Sequence, residues 1–181
     1  MPRMLALLLL PVVLATAALH QSQGGAMPFT LTSASFQSNQ SILRKHTCDG
    51  TDVSPALGWE SPPASTQSFA LIVDDPDAPA GVWVHWVAYD IPGAARQLPE
   101  DVPKTGDLAG GGRQGRNDFG RTGYGGPCPP PGKPHHYHFK LYALGHLLGL
   151  PTGASKQEVL KAMGKDALAQ AEIVGTYARS R

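Results

Sequence analysis

The chain has 181 residues, the size of one domain, and is 41% apolar and 16% charged, which suits a packed core and excludes a disordered chain. A formal net charge of +1 excludes a general nucleic-acid or membrane-surface binder, because both need a basic balance or basic runs. The 21 glycines and 17 prolines fit many short strands joined by turns rather than a helical bundle.

The start of the chain reads as a targeting segment. Arg3 supplies a short positive region, Leu5 to Leu14 an apolar stretch broken only by Pro11, and Ala15-Thr16-Ala17 a cleavage site. The expected organisation is a signal peptide at 1–17, a flexible linker at 18–26 and one domain at 27–181. The apolar stretch is too short to span a bilayer, so the protein is expected to be periplasmic or secreted and not transmembrane. Translation from Met27 would instead give a cytoplasmic protein. Cys48 and Cys128 are the only cysteines. In an oxidising compartment they suit a long-range disulfide, and the alternative is a pair of buried thiols. Asn39-Gln40-Ser41 matches a glycosylation sequon.

Phe29 to Thr32 alternates apolar and polar residues and predicts a half-buried strand. Asp49 to Pro55 is turn-rich, and a short segment surrounds Trp59. Ser68 to Val73 is an apolar run of strand length, stopped by Asp74-Asp75-Pro76-Asp77-Ala78-Pro79 because proline cannot donate to a ladder. Val82 to Ile91 is rich in aromatic and β-branched residues and predicts another strand, ended by Pro92-Gly93. Residues 99–134 form a long Gly- and Pro-rich excursion, interrupted by at most a short strand near Leu108 or Arg113. Tyr137 to Leu144 predicts a further strand. Ser155-Lys156-Gln157-Glu158 matches a capping box, and Val159, Leu160, Met163, Ala167 and Leu168 follow at helical spacing, with Gly164 weakening or splitting the helix. This late helical segment covers about 155–171, and Glu172 to Tyr177 predicts a terminal strand. The fold class is mainly β, as packed antiparallel sheets.

Side chains alternate faces along a strand. Asp75 shares parity with Phe69, Leu71 and Val73. His85 shares it with Trp83, Val87, Tyr89 and Ile91, while His135 and Tyr137 share it with Phe139, Leu141 and Ala143. Four polar groups thus lie on faces otherwise built for burial, where they need hydrogen-bond partners. Convergence at one end of the sheets, around a ligand, accounts for all four; the alternative is a core polar network without a ligand. Imidazole, phenol and the backbone N–H groups of Gly123 to Gly126 suit an oxyanion, with Asp75 orienting a histidine or meeting an ammonium group.

Asp75-Pro76-Asp77-Ala78-Pro79, His85-Trp86, Gly126-Pro127-Cys128-Pro129-Pro130 and Lys133-Pro134-His135-His136-Tyr137 resemble the phosphatidylethanolamine-binding protein (PEBP) family. Gln114 to Gly120 resembles its bacterial YbhB/YbcL, or Raf-kinase-inhibitor-like, branch. The resemblance runs from Met27 onward. It implies two packed antiparallel β-sheets with a few peripheral helices. It also implies a small pocket for phosphate or phosphorylethanolamine-like groups on Asp75, His85, His135 and Tyr137. Asp77 and Pro79 would shape the first loop, and Gly126, Pro129 and Pro130 the rim. Eukaryotic members carry Gly-x-His-Arg where this chain has Lys133-Pro134-His135-His136, which puts any partner contact of that arginine, and kinase regulation, in doubt. The exported, cysteine-bearing form looks more like the YbcL side.

The reading is therefore a non-catalytic small-ligand binder, with no cofactor and no metal implied and a signalling role open. A rival is a protease or other enzyme inhibitor acting through the 99–134 surface, with ligand occupancy setting the order of that loop. A hydrolase could use Asp75 and His85, but no Gly-x-Ser-x-Gly elbow supplies a nucleophile. His136 and His138 could share a metal with a carboxylate, although closed sites need more ligands.

Overall fold

The computed structural model describes residues 27–179, so the expected signal peptide at 1–17 and linker at 18–26 lie outside the described residues. The strands are β1 (Thr30–Ser33), β2 (Gln40–Ser41), β3 (Leu57–Glu60), β4 (Ser68–Asp75), β5 (Trp83–Pro92), β6 (Gln97–Leu98), β7 (Arg113–Gln114), β8 (His135–Leu144) and β9 (Ala167–Tyr177). One α-helix, α1 (Lys156–Met163), and a 3-10 turn at Arg44–His46 complete the described elements.

The mainly-β expectation holds. A three-stranded sheet runs β1-β3-β6 and a six-stranded sheet runs β2-β9-β8-β4-β5-β7. Pairing is antiparallel except between β2 and β9, which is parallel. Every residue of β4 is buried, because the large sheet is covered on both faces. On one face Phe69, Leu71, Val73, Phe139 and Leu141 pack against Leu31, Leu57 and Trp59 of the small sheet. On the other, Ala70, Ile72, Val84, Val87 and Tyr89 are covered by Val159 and Met163 of α1.

The helix starts where the capping box puts it. The Ser155 side chain accepts from the Glu158 backbone N–H, and the Glu158 carboxylate accepts from that of Ser155. It ends sooner than the helical spacing suggested. Gly164 closes it at φ 60°, and Ala167 to Ala171 belong to β9 instead. The pattern there has two readings, since alanine suits a helix, but period-two alternation wins. Ala171 and Ile173 face the core while Leu168 is exposed, and β9 pairs with β8 from Leu144↔Ala167 to His135↔Tyr177. A full strand of ladder bonds outweighs local propensity.

Simple alternation also fails in β5. Val73 pairs with Trp86 and Asp74 with Val84, so His85 is an extra residue on its strand. Such a bulge turns two successive side chains to one face. His85 and Trp86 therefore both face the inter-sheet core, whereas Val87 and Tyr89, expected beside His85, point to the helix side.

The 99–134 excursion is not a free loop. β7 pairs with β5, near the Arg113 position where a short strand was expected. Buried Gln114 accepts from Trp86 Nε1 at 2.8 Å and donates through Nε2 to the carbonyls of Pro103 and Thr105. Asn117 donates to the Gly123 carbonyl and accepts from the N–H groups of Phe119 and Arg121. Gln114→Leu would strand one buried donor and two acceptors, at about 1–3 kcal/mol for each group left unsatisfied. The expected outcome is a loss of about 3 kcal/mol, read as a lower urea midpoint. An unchanged midpoint would show that the excursion is held by other contacts.

Candidate functional site

β4 ends where its antiparallel neighbours β5 and β8 begin, and this common edge gathers the polar residues. Asp75 is 3% exposed, His85 2% and Tyr137 1%. A buried carboxylate is costly unless hydrogen-bonded, and Asp75 has both oxygens engaged. Its Oδ2 accepts from His135 Nδ1 at 2.8 Å and its Oδ1 from the Asp77 backbone N–H at 2.8 Å. His85 Nδ1 donates to the Gly125 carbonyl at 2.7 Å. The Tyr137 ring stands edge-on to His85, 5.1 Å between centroids. Its hydroxyl is buried beside Asp75 without a well-formed hydrogen bond.

Part of this cluster borders a cavity of about 340 Å³. Asp75, His85 and His135 form its polar part. Ala78, Pro79, Ala80, Trp83, Phe119, Pro129 and Pro130 form an apolar wall, joined by Cys128. Of the residues expected at the site, Asp75, His85, His135, Pro79, Pro129 and Pro130 thus line one cavity. Three lie elsewhere. Tyr137 sits behind the wall against His85. Asp77 points outward and bonds the His136 ring at 2.7 Å, while its backbone N–H ties the first loop to Asp75. Gly126 is buried behind the rim, where a Cβ would come within 2.3 Å of the His46 carbonyl.

The expected anion nest at Gly123 to Gly126 does not form. The N–H of Gly123 bonds Gly115, that of Gly125 bonds His85, and that of Gly126 bonds Asp52 Oδ1 at 2.6 Å. These donors are already spent inside the protein. Sequence reasoning missed Trp83 and Phe119 on the wall. Trp83 lies on the face that alternation already gave to His85, and Phe119 is turned inward only by the fold of the excursion.

Cys48 and Cys128 are joined, with Cα atoms 5.4 Å apart across 80 positions of sequence. The bond anchors the rim to the 44–53 segment. Asp75 pairs with His135, while His85 Nδ1 bonds the Gly125 carbonyl, so the Asp75–His85 pair of the rival hydrolase reading is not formed. His136 and His138 each bind their own carboxylate, Asp77 and Glu172, at 2.7 Å. Among the described residues no group of three or more His, Cys, Asp or Glu side chains is placed to hold a metal ion. No helix among them is long and apolar enough to cross a membrane.

A mainly-β sandwich with a small cavity at one sheet edge is a scaffold suited to holding a small molecule. The sequence profile of the phosphatidylethanolamine-binding protein family matches residues 32–178, and the chain belongs to that family. It is 52% identical over 160 residues to a UPF0098 protein of Aquifex aeolicus, covering 87% of this chain and 92% of that one. It is 39% identical to the UPF0098 protein YbcL of Escherichia coli over 162 residues, covering 84% and 88%. The crystal structure of E. coli YbcL superposes with a TM-score of 0.80 at 38% identity, covering 85% of this chain and all of the other.

Burial lowers the pKa of His85, against the opposing pull of the Gly125 carbonyl and Asp75; burial likewise lowers that of His46. The unfolded chain then takes up protons before the folded one does. Stability from these two rings is complete above the unfolded value of about 6.5 and is lost as pH falls from there through the folded values. His85 is expected to titrate below 6.5 by NMR, with the urea midpoint dropping between pH 7.5 and 5.5. Titration of His85 at or above 6.5 would contradict the burial argument.

Proposed function

We propose that the protein is a non-catalytic small-ligand binder whose cavity at Asp75, His85 and His135 takes a small anionic head group of the phosphate or phosphorylethanolamine kind. The observation that carries this reading is the convergence of three buried titratable groups from three strands on one apolar-walled cavity. Asp75 serves as a positioning residue, holding the His135 ring by its Nδ1–H. Tyr137 braces His85 from behind. Pro79, Pro129 and Pro130 supply a rim whose backbone is stiff before any ligand arrives, and Asp77 and Gly126 support it from outside the cavity.

A non-catalytic role is supported by the state of the one sulfur on the wall. Cys128 is bonded to Cys48 and offers no thiolate. Export to the periplasm or beyond is supported by the same bond, which persists in oxidising compartments. The inhibitor reading, with ligand-dependent order in residues 99–134, is weakened by the buried Gln114 and Asn117 bonds that already hold that segment.

The test is an NMR titration of the mature protein with inorganic phosphate and with phosphorylethanolamine. Saturable shifts at His85, His135 and the Trp83 indole are expected, and His135→Ala is expected to weaken binding at least tenfold. Shifts that are absent, or equal in the two proteins, would refute the pocket assignment. Hydrolysis of a chromogenic ester that depends on His135 would overturn the non-catalytic reading.

A further inference from the structure

The hydrogen bonds around the cavity dictate which ring nitrogens carry protons. A carbonyl oxygen only accepts, so the Gly125 carbonyl at 2.7 Å requires the hydrogen of His85 on Nδ1. The Asp75 carboxylate, already accepting from Asp77, imposes the same on His135 at 2.8 Å. In its neutral form each ring therefore leaves Nε2 as a lone pair, and among the described residues no hydrogen bond to either Nε2 is formed. Both residues line the cavity.

The nearby donors are few. Three glycine N–H groups of the adjoining loop are spent internally, and both oxygens of Asp75 are occupied. Two buried donors have no protein partner, Trp83 Nε1 on a wall residue and the Tyr137 hydroxyl behind it. The cavity thus offers two lone pairs with few free side-chain donors beside them. A fully ionised oxyanion, which only accepts, would meet those lone pairs head-on.

We infer that the cavity selects an oxyacid that still carries a proton, so that a ligand O–H donates to the Nε2 atom of His85 or of His135. This rests on the proposed pocket and narrows its ligand class. A fully ionised oxyanion enters only with a proton taken up by one of the rings. The charged groups that bear on that step are Asp75 and Asp118 toward His85, and Asp75 and Asp77 toward His135, with Asp77 also engaged by His136. At His85 both carboxylates favour the extra proton, while burial opposes it.

Sulfate and phosphate separate the cases, being nearly the same size and shape. Inorganic phosphate keeps at least one O–H through the neutral range. A phosphate monoester loses its last one at about pH 6, and sulfate has none. Titrations of the wild-type protein with sodium phosphate, methyl phosphate and sodium sulfate at pH 7.5 and 5.5 test the inference. At pH 7.5 phosphate is expected to bind at least tenfold tighter than sulfate. Sulfate affinity is expected to rise as pH falls, by up to about tenfold per pH unit for one proton taken up, and methyl phosphate should lose affinity above pH 6. Calorimetry in two buffers of different ionisation enthalpy should show proton uptake with sulfate and less with phosphate. His135→Gln replaces a lone pair with an amide donor and should shrink the preference for phosphate to below threefold.

Equal binding of sulfate and phosphate at pH 7.5, or a preference unchanged in His135→Gln, would overturn the inference and leave the pocket intact. Failure of all three probes at both pH values would instead remove the anion pocket itself, and this inference with it.

Discussion

The arrangement depends on one buried carboxylate. Asp75 ends the central strand β4 at 3% exposure, where an unpaired charge would be severely destabilising. Its two hydrogen bonds are therefore obligatory, and each shapes a different element. The bond from the Asp77 N–H bends the chain out of the strand into the loop that carries Pro79. The bond from His135 Nδ1 ties the start of β8 to the end of β4 and holds the imidazole in one tautomer. The chemistry presented to the cavity follows from that, because a proton committed to Nδ1 leaves a lone pair at Nε2.

The walls are held by different means from the polar groups. Side-chain amides inside the 99–134 segment replace the ladder bonds it lacks, with Gln114 and Asn117 satisfying backbone groups that would otherwise be buried unpaired. The Cys48–Cys128 bond then joins the rim to a segment 80 positions earlier. In the chain-entropy description such a crosslink stabilises the fold by about 4–5 kcal/mol through the unfolded state. It also restrains the rim in the native state, next to prolines whose φ angles are already set. A cavity framed in this way loses little further freedom when it is filled.

Much of this was legible in the sequence. Uninterrupted alternation in β4 and β8 correctly assigned Asp75, His135 and Tyr137 to the core face, and the Ser155–Glu158 pair marked the start of α1. The failures have local causes. A one-residue bulge at His85 reverses parity in the middle of β5, so His85 reaches the core side while Val87 and Tyr89 do not, and a second irregularity returns Ile91 to the core. Alanine at 167, 169 and 171 suits helix and strand alike, and only pairing with β8 decides. The glycine amides at 123–126 looked free because their partners, such as Asp52, lie far away in sequence. Composition could suggest a nest there but could not say that its donors were taken.

That last correction changes how a ligand would be recognised. With a formal net charge of +1, the protein has little overall field to steer an anion. The polar groups at the cavity are a carboxylate with both oxygens engaged and two rings that each commit Nδ1–H to a protein acceptor. Discrimination in the proposed binding mode therefore comes from matching donors to acceptors out of water, where an unmatched polar group costs more than a matched one contributes. In that mode, a carboxylate buried for structural reasons would turn an apparent anion site into one that reads the protonation state of its ligand.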